Sequence, residues 1–505
     1  MKLVRPGSIP AIDRAWLESC DVTEEALIRR AGAAVADAVL ALPVQGEVLI
    51  LAGGGNNGAD GYAAALCLHQ AGVGVRVVDV FGRGQRSAGG RAVLAEYRAV
   101  LGDACDAAHL SSDTDAAVIV EAVMGSGAVG ALSEEARAVC AWITRQTAYK
   151  LAVDVPLGVD ADYGEVMEGA MRADATVMLS LPKRGLLSYP AREYCGRLIY
   201  ADLGIRAEAF SAHFVGEATD ADLAKALLPR RTPNGHKGSF GRLVVFAGSR
   251  KYRGAACLAA EGALRMGVGL LTLSTEEAVV GTVAKRLPEL LFDEMPPIRA
   301  LGTAEMKAKC EDAEKASAVL VGPGSGVSVG LYQFLSLLVS RTGAPLLLDA
   351  DALGAIAAYA PDVDSFFASA ARPLVLTPHP LEFGRLIGKS ASEVQEKRMR
   401  LAMEYARKWG VSLLLKGAGT LITDGEGLYI NTTGSSALSK GGSGDVLAGA
   451  VGAFLAQGVN PLDALALGAY LHGAAGDSLA GELSEYGVLP SELPRQMAKA
   501  LRKLK

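Results

Sequence analysis

The chain has 505 residues, half of them apolar, with abundant glycine and few aromatics. Its length exceeds what one core usually supports, and its composition is that of an α/β enzyme, not of a disordered or coiled-coil protein. A formal charge of −5 with both signs interspersed gives no bulk attraction to nucleic acid or to a membrane surface.

From the start, Met1-Lys-Leu-Val-Arg5-Pro6 is too polar for a signal peptide. Every long apolar stretch is interrupted by Gly, Ser or charge before it could span a bilayer. The seven cysteines are scattered without a C-x-x-C pair, so they read as reduced, mostly buried thiols in a cytoplasmic protein. Glu47–Ala52 reads as a buried parallel strand, followed by the glycine-rich segment Gly53–Gly61 and a helix over Tyr62–Gln70. Val75–Val80, Ala117–Val120, Leu151–Val155 and Thr176–Leu179 are further strands, with helical stretches between them. That alternation predicts a doubly wound sheet with ligand loops at the carboxyl ends of its strands. Ala212–Thr232 carries the switch between halves. The second half restarts at Arg242–Ala247 and continues through Ala318–Val321, Pro345–Leu348, Leu374–Leu376, Leu413–Leu415 and Leu421–Thr423.

The N-terminal loop satisfies G-x-G-x-x-G with Gly53, Gly55 and Gly58, and Asp79 ends a later strand. By itself that spacing points to a dinucleotide. Asn56, Asn57 and Asp60 add side-chain oxygens suited to a ligand or a cation. Glu121, Gly125-Ser126-Gly127 and Asp154 stand at later strand ends and should meet them in one crevice. Turn-forming asparagines and a structural loop carboxylate are the competing explanation.

In the second half, Gly441-Gly442-Ser443-Gly444-Asp445 opens an apolar helical run. Glycines there let backbone N–H groups converge at a helix start and bind an anion. An aspartate beside such a nest suits a base that takes a hydroxyl proton during attack on a phosphoryl group. A plain glycine-rich loop with Asp445 as a helix-start residue is the competing explanation. Asp349 and Asp351 follow a strand end, where magnesium, phosphate or helix capping could each explain them. His379, held between two prolines, is either a rigid turn residue or an imidazole aimed at a ligand.

Read in order, these motifs resemble a known pair of domains. Ile12-Asp13-Arg14, Arg30-Ala31-Gly32, Gly55–Gly61, Asp154-Val155-Pro156 and Leu181-Pro182-Lys183 are similar to the NAD(P)HX epimerase domain. His236-Lys237-Gly238, Tyr252–Ala256, Gly322–Gly326, Asp349–Leu353, Thr377–Pro380, Lys416-Gly417-Ala418 and Gly441–Asp445 resemble the ADP-dependent NAD(P)HX dehydratase. The fold implied is a Rossmann-like doubly wound sheet over residues 1–213, followed by a ribokinase-like α/β domain over 214–505.

The resemblance implies repair of NADH and NADPH hydrated on the nicotinamide ring. One domain interconverts the R and S epimers. The other restores the reduced cofactor from the S form, with ADP phosphorylating the ring hydroxyl so that it leaves as phosphate. Asp445 and Asp154 would be catalytic. Ala255, Gly324, His379 and Asp445 would contact the hydrated nucleotide in the dehydratase. Lys416, Gly417, Ala418, Gly419, Thr420 and Gly444 would hold the nucleotide. Asn56, Asn57, Gly58, Ala59, Asp60, Gly125, Ser126, Gly127 and Asp154 would line the epimerase site. Mg2+ and K+ are the implied cations, with Asn57, Glu121 and position 157 on potassium. Leu157 stands there in place of a serine, and Glu121 in place of an aspartate. The partners implied are the small molecules NADHX and NADPHX and further copies of this chain, a homo-oligomer. A dehydratase with a binding-only N-terminal domain, or a small-molecule kinase, are the alternatives.

Overall fold

The computed structural model describes residues 1–505 except 21, 45, 82–85, 112, 128–129, 206 and 342. The chain divides into two compact units, Lys2–Gly216 and Glu217–Lys505, with Met1 belonging to the second.

The first unit is built on a parallel sheet of seven strands. Its order is Cys105–Asp106, Val75–Asp79, Val48–Ala52, Val118–Ala122, Tyr149–Val153, Ala175–Leu179 and Arg197–Ala201. Val48–Ala52 and Val118–Ala122 are fully buried runs, as expected of strands covered by helices on both faces. The strand order reverses at Val48–Ala52, so the crevice at its carboxyl end is the natural ligand position. The following helix starts at Asn56, six residues before the expected Tyr62. Gly55 is its N-cap, and the Asn-Asn-Gly-Ala-Asp stretch is thus its first turns rather than a loop. Gly58 must be glycine, because a Cβ there would lie 1.9 Å from the Gly53 carbonyl oxygen.

The second unit has a mixed sheet. From one side it runs through Glu217–Thr219, Leu428–Asn431, Leu421–Thr423 and Ser412–Leu415, then Leu374–Leu376 and Leu346–Leu348. It ends with Ala318–Val321, Arg242–Phe246, Leu270–Thr275 and Leu291–Glu294. The two hairpin pairings from Ser412 to Asn431 are antiparallel; the others are parallel. The expected switch segment is itself structured: Phe214–Thr219 is a strand and Ala221–Leu227 a helix. Thr219 Oγ1 donates to Asn431 Oδ1 at 2.8 Å, which locks that strand into the sheet.

The helices Arg253–Arg265 and Ser443–Ala456 cross in close contact over this sheet. A Cβ on Gly449 would lie 1.9 Å from the Ala259 carbonyl oxygen, and one on Gly262 2.5 Å from that of Val446. Small residues therefore set the depth at which the Gly441–Asp445 turn sits over the strand ends.

Candidate functional sites

In the second unit Gly442 has φ +102°, a left-handed conformation that glycine adopts without a Cβ penalty. It caps the helix Ser443–Ala456, so Gly444 and Asp445 lie in the first turn, where unpaired N–H groups gather. Beneath them Ser443 Oγ and His472 Nε2 are 3.1 Å apart and buried. Burial pushes His472 down to about 4, so the ring is neutral.

Lys416 reaches this turn. A Cβ built on Gly444 would lie 3.2 Å from Lys416 Nζ. That ammonium donates to Asp349 Oδ1 at 2.6 Å, and Thr377 Oγ1 donates to the same oxygen at 2.9 Å. Burial opposes the charge on Lys416, but Asp349 and Glu382 outweigh it and hold its pKa above the ordinary lysine range. Arg398, 2% exposed, donates to the carbonyls of Leu415, Lys416 and Ala418. It thereby fixes the start of the Lys416–Thr420 turn. Thr420 Oγ1 closes that turn on the Gly417 carbonyl at 2.8 Å, and Gly417 and Gly419 take φ +139° and +56°.

Asp445 is pushed up to about 7, first by burial and then by the Asp349 carboxylate, with Lys416 opposing. Asp351 is likewise raised by burial, although the Gly326 N–H donates to it at 2.8 Å. Ala350, between the two aspartates, is held at φ +48°, a costly conformation that recurs at functional sites. Asp351 begins a helix but is hydrogen-bonded to Gly326, which joins it to the Gly322–Gly326 loop.

His379 caps the helix Pro380–Ile387. Its Nδ1 accepts the N–H groups of Leu381 and Glu382, each at 3.2 Å, and Glu382 Oε2 accepts the His379 N–H at 2.9 Å. The turn role weighed from the sequence is therefore present. With Nδ1 accepting, the ring proton is on Nε2, 3.3 Å from Glu382 Oε1. Burial, and then Lys416, lower the His379 pKa. Ala255 and Gly324 are neighbours: Gly324 has φ +64°, and a Cβ on it would lie 2.8 Å from that of Ala255. Glu382 and Arg398 were not singled out from the sequence. The His-x-x-Glu capping spacing could have flagged Glu382, whereas nothing local marks Arg398 as buried.

In the first unit a cavity of about 1320 Å³ is lined by Asp13, Asn56, Asn57, Asp60, Gly125, Ser126, Gly127, Asp154 and Lys183, among others. Asp154 has φ +67°. Its Oδ2 accepts the Ser126 N–H at 3.2 Å; its Oδ1 accepts the Leu179 N–H at 3.3 Å and the Lys183 ammonium. Lys183 is 1% exposed and also donates to the Leu179 carbonyl at 2.6 Å. Burial raises Asp60 well above the carboxylate range, with Asp154 and Asp13 adding to it. Burial lifts Asp13 to about 6, against the pull of Lys183. Lys183 and Asp13 are thus members of the cluster that sequence reasoning left without a role.

Several expected residues stand differently. Ala59 is fully buried against Gly90 of the helix Ala88–Leu101, so its methyl packs between the two helices instead of lining the cavity. Asp79, the carboxylate of the simple dinucleotide pattern, accepts from Tyr62 and Arg86 at 3.3 and 3.2 Å. Of the three residues expected around potassium, only Asn57 keeps an unpartnered side-chain oxygen, Oδ1. Glu121 Oε1 and Oε2 accept the N–H groups of Val123 and Leu157 at 2.9 and 3.1 Å. The Leu157 side chain is 1% exposed in an apolar cluster, and its carbonyl accepts the Met171 N–H at 3.1 Å.

The cysteines are free, four of the seven buried. Among the described residues no helix is long and apolar enough to cross a membrane.

Comparison with known proteins agrees with this two-site arrangement. A family model described as NAD(P)H-hydrate dehydratase matches residues 243–499, and one described as the YjeF-related protein N-terminus matches residues 24–185. The bifunctional NAD(P)H-hydrate repair enzyme of Moorella thermoacetica is 34% identical, over 100% of this chain and 97% of that protein. That of Escherichia coli is 32% identical, over 95% and 91%. A solved ADP/ATP-dependent NAD(P)H-hydrate dehydratase from Bacillus subtilis, co-crystallised with ATP and Mg2+, covers 57% of this chain and 99% of its own. Its identity is 32% and its TM-score 0.50. A glycine turn with a carboxylate at one set of strand ends, a carboxylate–lysine cavity at another, and relatives matched over nine-tenths or more of their length lead to one assignment: the chain belongs to the family of bifunctional NAD(P)H-hydrate repair enzymes.

Proposed function

We propose that residues 214–505 dehydrate the S form of NADHX and NADPHX with ADP as phosphoryl donor, and that residues 1–213 interconvert the R and S forms. The observation that carries this reading is Asp445, a half-buried carboxylate whose pKa is pushed up to about 7, standing in the same helix turn as a glycine nest faced by Lys416. That is a base beside an anion site.

In this reading Asp445 takes the proton of the ring hydroxyl as its oxygen attacks the β-phosphorus of ADP. The bond from that phosphorus to the AMP oxygen breaks. Phosphate, a far better leaving group than hydroxide, then departs as the adjacent ring carbon loses a proton and the double bond re-forms. The Gly441–Gly444 N–H groups and Lys416 stabilise the charge on the phosphoryl oxygens. Gly417, Ala418, Gly419 and Thr420 hold the AMP portion. Ala255, Gly324 and His379 hold the hydrated nucleotide. Mg2+ fits this site as a partner of the phosphates: Asp349, Asp351 and Glu382 crowd beside Asp445, and their mutual repulsion favours a cation. When bound, it neutralises charge on the transferring phosphoryl.

For epimerisation, Asp60 is the proton donor to the departing hydroxyl. Asp154, ion-paired to Lys183, receives the proton of the water that returns on the other face. Asn56, Asn57, Gly58 and the Gly125–Gly127 loop shape the cavity around the ring. Potassium does not fit the residues present, since Glu121 and Leu157 offer it no free side-chain oxygen, and no step here uses it. The scattered free thiols support a reducing, cytoplasmic setting, and a homo-oligomer remains part of the proposal. The test is turnover of each separated epimer by the whole chain, with ADP present and with ADP withheld.

A further inference from the structure

We infer that the N-terminal unit joins its two substrate loops through the Glu121 carboxylate, and that its site works without a monovalent cation. This rests on the epimerase reading of that unit. Glu121 stands in the centre of the sheet, with Leu51 and Ala152 as its register partners, and it has no exposure.

One of its oxygens accepts the Val123 N–H and the other that of Leu157. Val123 and Met124 lead directly into Gly125-Ser126-Gly127. Leu157 closes the turn that begins at Asp154. One buried carboxyl group therefore gathers N–H groups from both loops that face the cavity, and the Ser126 N–H bond to Asp154 repeats the connection at the cavity wall.

A cation at the same oxygens would meet the positive ends of those N–H dipoles. The extra methylene of a glutamate, relative to an aspartate, is what extends the carboxylate across to Leu157 N. At position 157 the apolar side chain packs with Leu132, Val139 and Cys140, and the carbonyl is engaged by Met171. The remaining oxygen, Asn57 Oδ1, is buried, unpartnered and neutral. It is oriented by the bond from Asn57 Nδ2 to the Val153 carbonyl at 3.2 Å. That oxygen is an acceptor for a substrate hydroxyl or N–H. Glu121 acts through the loops it holds and is a positioning residue.

The experiment compares epimerisation of the R form, and the melting temperature, in potassium chloride and in choline chloride at equal ionic strength. The unmodified chain should show the same kcat, KM and melting temperature in both salts. Glu121→Gln places an N–H donor against backbone donors, and should lower kcat by on the order of ten- to a hundredfold with a smaller change in KM. Potassium should not restore it. The double variant Glu121→Asp with Leu157→Ser shortens the strut and supplies a hydroxyl; it should become faster in potassium than in choline. An unmodified chain about tenfold or more faster in potassium overturns the proposal. Absence of epimerisation in both salts removes the epimerase reading instead. The strut is then judged by melting temperature, which a bound potassium ion would raise and a carboxylate strut leaves unchanged.

Discussion

Lys416 Nζ is 2.6 Å from Asp349 Oδ1 and stands over the Cα of Gly444. The ammonium is thus held in place from the strand side while it faces the glycine turn. Phosphoryl transfer needs charge fixed in advance at the oxygens where it develops, and in the proposed reaction Lys416 would supply it, held by Asp349 rather than left as a flexible surface lysine.

If Asp445 removes the hydroxyl proton, Asp445→Asn should cut dehydration by about 100-fold or more while ADP binding is retained. Turnover of the unmodified enzyme should rise with pH through about 7, the value at which Asp445 ionises. Its effect on stability has the opposite sign. A carboxyl raised on folding contributes stability that is complete below the unfolded carboxylate range and lost as pH rises through about 7. Asp445→Asn should therefore be more resistant to denaturant than the unmodified chain above that pH and equal to it in acid. Near-normal turnover in the variant would remove the base.

His379 caps a helix, and in the proposed reading it also holds the hydrated dinucleotide; substitution can separate the two. His379→Ala loses both the helix cap, worth about 1 kcal/mol, and the contact to the hydrated dinucleotide. His379→Asn keeps a capping side chain, so it should recover the melting temperature but not the dinucleotide affinity. Calorimetry in which ADP binding suffers more than dinucleotide binding would put the imidazole on the wrong substrate.

Much of this was legible in the sequence, for definite reasons. Parallel strands buried on both faces are continuous apolar runs, so Val48–Ala52, Ala318–Val321 and Leu374–Leu376 stood out. The glycine turn at 441–444 was visible because its conformation requires glycine. Long-range partnerships were not. Arg398 is an arginine in a basic run until the fold buries it under the Leu415–Ala418 carbonyls. The helix start at Asn56 was hidden because two asparagines and two glycines read as a turn. Phe214–Thr219 pairs with Leu428–Asn431, more than 200 residues away, a partnership that no local signal announces.

Lys183 was visible in the sequence as part of the Leu181-Pro182-Lys183 motif, but its bond to Asp154 was not. Lys183→Met should lower epimerisation by about 100-fold, and leave Asp154 buried without its cation at a cost of about 3–5 kcal/mol. Dehydration of the S form with ADP should continue at its normal rate. The two rates, measured on the same sample, check this; equal loss of both would tie Lys183 to overall folding alone.

The Ser443–His472 pair lies at the Gly441–Asp445 turn, where the proposed reading places the ADP phosphates. His472→Ala leaves a buried hydroxyl unpaired, which costs about 1–3 kcal/mol. It should raise the KM for ADP more than that for the hydrated dinucleotide. A uniform fall in kcat with both KM values unchanged would contradict a role in holding the turn.

The most direct test is to give the purified protein each epimer of NADHX separately, with ADP, and to follow NADH, AMP and phosphate together. The S form should yield the three in equal amounts, with no NADH when ADP is withheld. The R form should also be consumed to completion, and in the Asp445→Asn variant it should still equilibrate with the S form while NADH no longer appears. NADH formed without loss of ADP, or an R form left untouched by the unmodified chain, would contradict the two-site account.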